Sequence, residues 1–242
     1  MGDIASFCLL SIAVFCGAFV SGLAGFAFSA VAGAILLHVL PPLEAVPLMM
    51  ACSITVQATN LWALRKSIRW KQSSVLVVGG LLGVPIAVWL LQAADARIFR
   101  ESFGLAIACY AVCTLFRPVL SRRLQMNVGR NALIGFGGGF VGGLTAMPGA
   151  IPTIWCDIHG VPKTEQRGLV QPFIAAMQIF ALVLMLLQNN LSSKVLVEFV
   201  ASIPALLAGA ALGIFAFRCV NEASFRRIIL IMLLFSGLLL VL

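Results

Sequence analysis

The stretch Ser21 to Ser29, "SGLAGFAFS", and the stretch Gly138 to Pro152, "GGFVGGLTAMPGAIP", set small and hydroxyl side chains inside long apolar runs. The chemistry open to such residues is anion binding. In lipid, a broken helix has unpaired N–H and C=O groups, tolerated only where protein buries them or they line a water-filled cavity. Where the second half-helix starts, its N–H groups point into the break and the dipole favours negative charge. Pro148 suits a first helical position because it has no N–H to leave unpaired, and Gly149 lets a ligand come close to the backbone. Ser21, Gly22, Gly25 and Ser29, with Gly142, Gly143, Thr145, Pro148 and Gly149, are therefore candidates to cradle a small oxyanion. The alternative is that the glycines only let helices pack closely, as in the small-xxx-small series Gly25, Ser29, Gly33.

Other polar residues extend the candidate site. Arg167 follows the turn "VPKTEQ", where its planar fork would bind two oxygens of an oxyanion or anchor the chain to the membrane face. Gln57 and Gln178 lie deep in apolar helices, where each amide needs partners, either substrate or a neighbouring helix. Ser53, Thr55, Asn60 and Gln171 are second-rank candidates of the same kind. His38, His159 and Asp157 are candidate proton carriers, although a His at a helix end also bonds terminal carbonyls. Glu44 and Glu165 each follow a proline and read as first-turn acids facing a helix dipole.

The elements that must position these groups are membrane helices. The 242 residues are 62% hydrophobic and 10% charged, outside the range of soluble domains of this length. The net charge of +8 comes from Lys and Arg in short loops between apolar runs, a topology signal rather than a nucleic-acid face. None of the seven cysteines forms a C-x-x-C pair, so they read as packing residues, and no metal or other cofactor is expected. The N-terminal apolar run has no Lys or Arg before it and is expected to remain as the first span.

Hydropathy divides the chain into apolar blocks at 4–40, 47–64, 73–92, 101–116, 131–158, 168–187, 195–217 and 228–242. The first, as one straight helix, would be about 55 Å long against a hydrocarbon core of about 30 Å. It breaks at 21–26, and the fifth block breaks at 142–149. A shift of 121 residues lays Gly22-Leu23 on Gly143-Leu144, His38 on His159, Pro41 on Pro162, Glu44 on Glu165 and Gln57 on Gln178. Further on, a shift of 126 lays Gly83 on Gly209 and Phe99-Arg100 on Phe225-Arg226. One membrane domain, 1–242, is therefore expected to be a duplication, with repeats at about 1–118 and 130–242.

If each broken block is a hairpin, thirteen of the sixteen Lys and Arg fall on one side; if each crosses once, the division is nine to seven. The positive-inside rule selects hairpins, hence an odd number of crossings per half. The expected fold class is an all-α polytopic membrane protein of two inverted repeats, each a broken helical hairpin plus three transmembrane helices.

The second half, "GGLTAMPGAIP…HGVPKTEQRG", and the first, "SGLAGFAFS…LPPLEAV", resemble the TauE/SafE-like sulfite and organosulfonate exporters, also called the 4-toluene sulfonate uptake permease family. The resemblance covers nearly the whole chain. It departs where Ala27-Phe28-Ser29 replaces a run of glycines in the first tip and where Leu48-Met49 replaces a Thr-Ser pair. It implies transport of sulfite, sulfonates or related small organic anions across the bacterial inner membrane.

The resulting expectation is a secondary transporter that works by alternating access around the two tips. Its partners are a small anion, the lipid bilayer and a proton or sodium as coupling ion, with the oligomeric state left open. An anion channel and a non-transport membrane assembly factor are the alternatives. The sequence has no H-E-x-x-H, no G-x-S-x-G and no paired membrane aspartates, so no enzyme is expected.

Overall fold

The computed structural model describes residues 2–24, 27–65, 67–93, 95–115, 127–188 and 192–219, with 230, 231, 234, 237 and 238 beyond them. All regular structure among these is helical: α1 (Gly2–Ala24), α2 (Phe28–Leu36), α3 (Pro42–Leu64), α4 (Trp70–Ala93), α5 (Ala96–Leu115), α6 (Val128–Thr145), α7 (Ala150–Ile158), α8 (Lys163–Leu187) and α9 (Ser193–Cys219). Among the described residues α4, α8 and α9 are long and apolar enough to cross a membrane by length and composition. Both long apolar blocks are interrupted, each into a long arm and a nine-residue arm: α1 and α2, then α6 and α7.

Local sequence explains the boundaries. Pro41 and Pro162 are the N-caps of α3 and α8, in extended conformation before the first turn, and Glu44 and Glu165 sit in those first turns against the positive helix ends. Asn127 caps α6 by accepting from Gly129 N at 3.1 Å. At the end of α7, Gly160 takes φ +62° while Gly160 N donates to Asp157 O and Val161 N to Cys156 O, a Schellman closure that needs a left-handed residue.

Packing is carried by small residues. Helices α4 and α6 run side by side in the same direction: a Cβ on Gly79 would lie 2.0 Å from Ala132 O, on Gly83 2.3 Å from Phe136 O, and on Gly143 2.6 Å from Ala87 Cβ. Helices α1 and α9 do likewise, with Gly209 against Phe15 O at 2.4 Å, Gly213 against Phe19 O at 2.2 Å and Gly22 against Ala210 O at 2.8 Å. In lipid, where hydrophobic burial gives no preference for helix over acyl chain, such close backbone approach is a main source of cohesion.

Helices α3 and α8 pack against one another in opposite directions. Arg69, beyond the end of α3, bonds Gly168 O through its N–H at 3.1 Å and pairs with Glu165 at 3.0 Å, both near the start of α8. Lys194, beyond the end of α8, pairs with Glu44 at 2.8 Å, at the start of α3. These pairs are partly solvated, so each contributes about 0–1 kcal/mol; they mark direction more than they stabilise.

Candidate functional site

The short arms α2 and α7 begin beside one another, and between them lies a cavity of about 20 Å³. That is room for about one water molecule. Its wall takes Ala27, Phe28 and Ser29 from the start of α2, Ser53 and Gln57 from α3, and Tyr110 from α5. Residues 146–150 of the second break, with Ile174 and Gln178 from α8, complete it. No ionised side chain is among them.

Neither short arm has a conventional N-terminus. Ala27 caps α2 and Gly149 caps α7, neither with a side-chain hydrogen bond, and neither helix has an acid in its first turn. The contrast is with α3 and α8, whose first turns contain Glu44 and Glu165. Two helix starts thus converge on one small cavity without a carboxylate or hydroxyl cap from the protein, although in α7 the Ala150 N–H donates to Met147 O at 3.2 Å and Pro152 has no N–H.

The two breaks are tied together. Ala146, where α6 stops, adopts the left-handed conformation at φ 56°, ψ 23°. For a residue with a Cβ this costs roughly 1–2 kcal/mol. It turns the Ala146 carbonyl to accept from Ser29 Oγ at 2.7 Å and from Gln178 Nε2 at 3.0 Å. Gln178 Nε2 also donates to Ser53 Oγ at 3.0 Å. Gln57 Oε1 accepts from Asn60 Nδ2 at 3.2 Å.

The structure brings Ser29, Gln57, Gln178, Pro148 and Gly149 onto one wall. Ser21, Gly22, Gly142, Gly143 and Thr145 lie within α1 and α6, not on it. Gly22 and Gly143 face α9 and α4, and Gly142 faces Pro148, so their lack of a Cβ serves packing. Thr145 Oγ1 donates to Val141 O at 2.7 Å, one turn back along its own helix. Ser21 is 1% exposed, its Oγ without a partner among the described residues. Gly25 lies outside the described residues.

Two local expectations change. Pro148 precedes the N-cap of α7 rather than opening the helix, because α7 starts at Ala150. Gly149 has an ordinary helical φ of −74°, and a Cβ there would meet Ile174 Cδ1 at 2.5 Å, so a side chain here would have to push Ile174 of α8 aside.

Arg167 lies in the second turn of α8, which begins at Lys163, and is not on the cavity wall. Nor are His38, His159 or Asp157. His38 is exposed at the end of the first hairpin. His159 Nδ1 lies 2.6 Å from Trp155 O, which can only accept, so that nitrogen bears hydrogen; the ring rests on Trp155 with centroids 4.0 Å apart. Asp157 Oδ1 accepts from Gln166 Nε2 at 3.2 Å. Tyr110, which sequence reasoning passed over, is the chain's single tyrosine and is buried on the wall. Its signal was a lone phenol in an apolar helix, where its O–H must find a partner.

Among the described residues, the all-helical structure with apolar membrane-length helices fits a multi-pass membrane protein. The family described as sulfite exporter TauE/SafE matches residues 9–240, and the chain belongs to that family. A membrane exporter family is a family of transporters, not of enzymes. No curated protein and no solved structure matches the chain.

Proposed function

We propose that the protein is a secondary carrier of small anions, namely sulfite, sulfonates and related organosulfur or organic anions, and that the cavity between α2 and α7 is its binding site. The observation that carries this reading is the pair of helix N-termini, without side-chain caps or first-turn acids, that face the same cavity. Neutral donors there suit a weakly hydrated anion that must bind and leave. Saturable uptake with counterflow into proteoliposomes is the expected result for at least one of sulfite, thiosulfate, sulfoacetate or a simple carboxylate, assayed with and without a pH gradient. Non-saturating flux without counterflow would make the protein a channel, and no flux of any of these anions would sink the assignment. The pH-gradient arm also tests a proton as coupling ion, and a parallel arm with a sodium gradient tests sodium.

The layout we infer is two inverted repeats, α1 to α5 and α6 onward, with the short arms as hairpin returns. The opposed directions of α3 and α8 and the exchange of partners, α1 with α9 and α4 with α6, support it. Alternating access then follows as a movement of the two tips past each other, since the cavity as it stands is smaller than a sulfonate. Ser192, in the loop before α9, is expected to face the side opposite the cytoplasm of a bacterial inner membrane. A Ser192→Cys protein should react with an impermeant maleimide added from outside to intact cells; reaction only after permeabilisation would overturn the inverted layout.

A further inference from the structure

Gln178 is 2% exposed and lines the cavity, and its side chain is only half satisfied. Its Nε2 uses both hydrogens, on Ser53 Oγ and Ala146 O, each at 3.0 Å, whereas its Oε1 has no hydrogen-bond partner among the described residues. Which amide atom is which follows from chemistry. Ala146 O is a carbonyl and can only accept, so the atom facing it must be the nitrogen; the reversed amide would set two acceptors against each other.

A buried acceptor without a donor is costly, and a water in the cavity can relieve it only until a ligand displaces that water. A ligand with acceptor oxygens alone would suit the ends of α2 and α7 but leave Gln178 Oε1 unmet. An anion that also carries an O–H or N–H would satisfy both. Among the described residues, the wall has no Lys, Arg or His that could serve Oε1 instead.

Resting on the reading of this cavity as the anion site, we propose that it selects oxyanions bearing a hydrogen-bond donor, with Gln178 Oε1 as the acceptor that recognises it. The class comprises monoprotonated inorganic oxyanions, such as hydrogen sulfite, and hydroxylated or aminated sulfonates.

The test uses two sulfonates of nearly equal size: isethionate, which has a terminal hydroxyl, and propane-1-sulfonate, which has a methyl in its place. Their affinities for the purified full-length protein are measured by calorimetry. Isethionate is expected to bind about fivefold to a hundredfold more tightly, the range for leaving a buried acceptor unmet. In Gln178→Met the two affinities should converge to within about twofold, because the discriminating acceptor is gone. Equal affinities in the unaltered protein, or an undiminished preference in the variant, would overturn this inference and leave the anion site standing. Binding of neither sulfonate would overturn the site as well. The ratio in the unaltered protein needs no variant, so the test survives a Gln178→Met chain that fails to insert. Taurine and hydrogen sulfite, run as further ligands, separate an N–H donor from an O–H donor.

Discussion

Gly149→Leu is expected to reach the membrane and to transport nothing. A Cβ at this position would lie 2.5 Å from Ile174 Cδ1 and 2.9 Å from Ile174 Cγ1, the outer part of a side chain that can turn away. The fold should therefore survive, since overpacking costs about 1–3 kcal/mol against a typical total of about 5–15 kcal/mol. The site should not. Gly149 and Ile174 both line the cavity of about 20 Å³, so the added isobutyl group and the displaced Ile174 compete for the same space. The added bulk also stands at the N-cap of α7, where an anion would approach the helix end. Initial uptake, normalised to inserted protein, should fall by at least about tenfold, a barrier increase of about 1.4 kcal/mol. Gly129→Ala, where a Cβ would meet nothing nearer than Asn127 Oδ1 at 3.8 Å, is the control and should transport normally. Unaltered flux through Gly149→Leu would mean that substrate does not pass this cavity.

Much of the architecture was legible in the apolar blocks, because lipid allows only helices and closed barrels to span, and in apolar runs of helical length every long interruption is conspicuous. The sequence pairs Gln57 with Gln178 under the 121-residue shift, and the structure places both on one wall. What could not be read was which face of each broken arm meets the cavity. In a soluble helix the apolar side marks the interior, but here lipid-facing and protein-facing surfaces are both apolar, and pattern loses that information. Hence the sequence groups Gly22 and Gly143 with the tips, although they serve the packing of α1 on α9 and α6 on α4. Ala146 gave no signal, since Gly, Asn and Asp, not alanine, are the residues that mark a left-handed turn. The contact of Ser29 with Ala146, 117 positions apart, is likewise visible only in three dimensions.

The ion pairs bear on how such a site could open. Glu44 with Lys194 and Glu165 with Arg69 each join the first turn of a helix to the segment that follows its antiparallel neighbour. The two acids are equivalent under the 121-residue shift, so the pairs mark opposite ends of the α3 and α8 contact. Weak, solvated contacts there can be exchanged without a large loss of stability. The glycine seams of α4 with α6 and α1 with α9 cannot: their contacts are backbone on backbone. Relative motion should therefore concentrate where α2 and α7 meet, with each seam moving as a unit.

That division makes Gly79→Ala the most damaging small substitution. Its Cβ would lie 2.0 Å from Ala132 O, 2.7 Å from Ala132 C and 2.9 Å from Ala132 Cα, all backbone atoms that no rotamer change can clear. Helices α4 and α6 must separate, and the neighbouring approaches at Gly83, Gly135 and Gly139 would open with them. The loss should be at least about 2 kcal/mol, within the overpacking range and unrelieved by any flexible side chain. In detergent solution this is expected to lower Tm by roughly 4–8 °C, the usual conversion for a chain of this size. Gly137→Ala, also on α6, provides the comparison: its Cβ would meet only the side chain of Ile151, at 3.1 Å, and the gain in helix propensity of about 1 kcal/mol opposes any strain. Its Tm should stay within about 2 °C of the unaltered protein. Equal thermal stability of both variants would mean that α4 and α6 do not approach this closely, and the rigid seam would be lost.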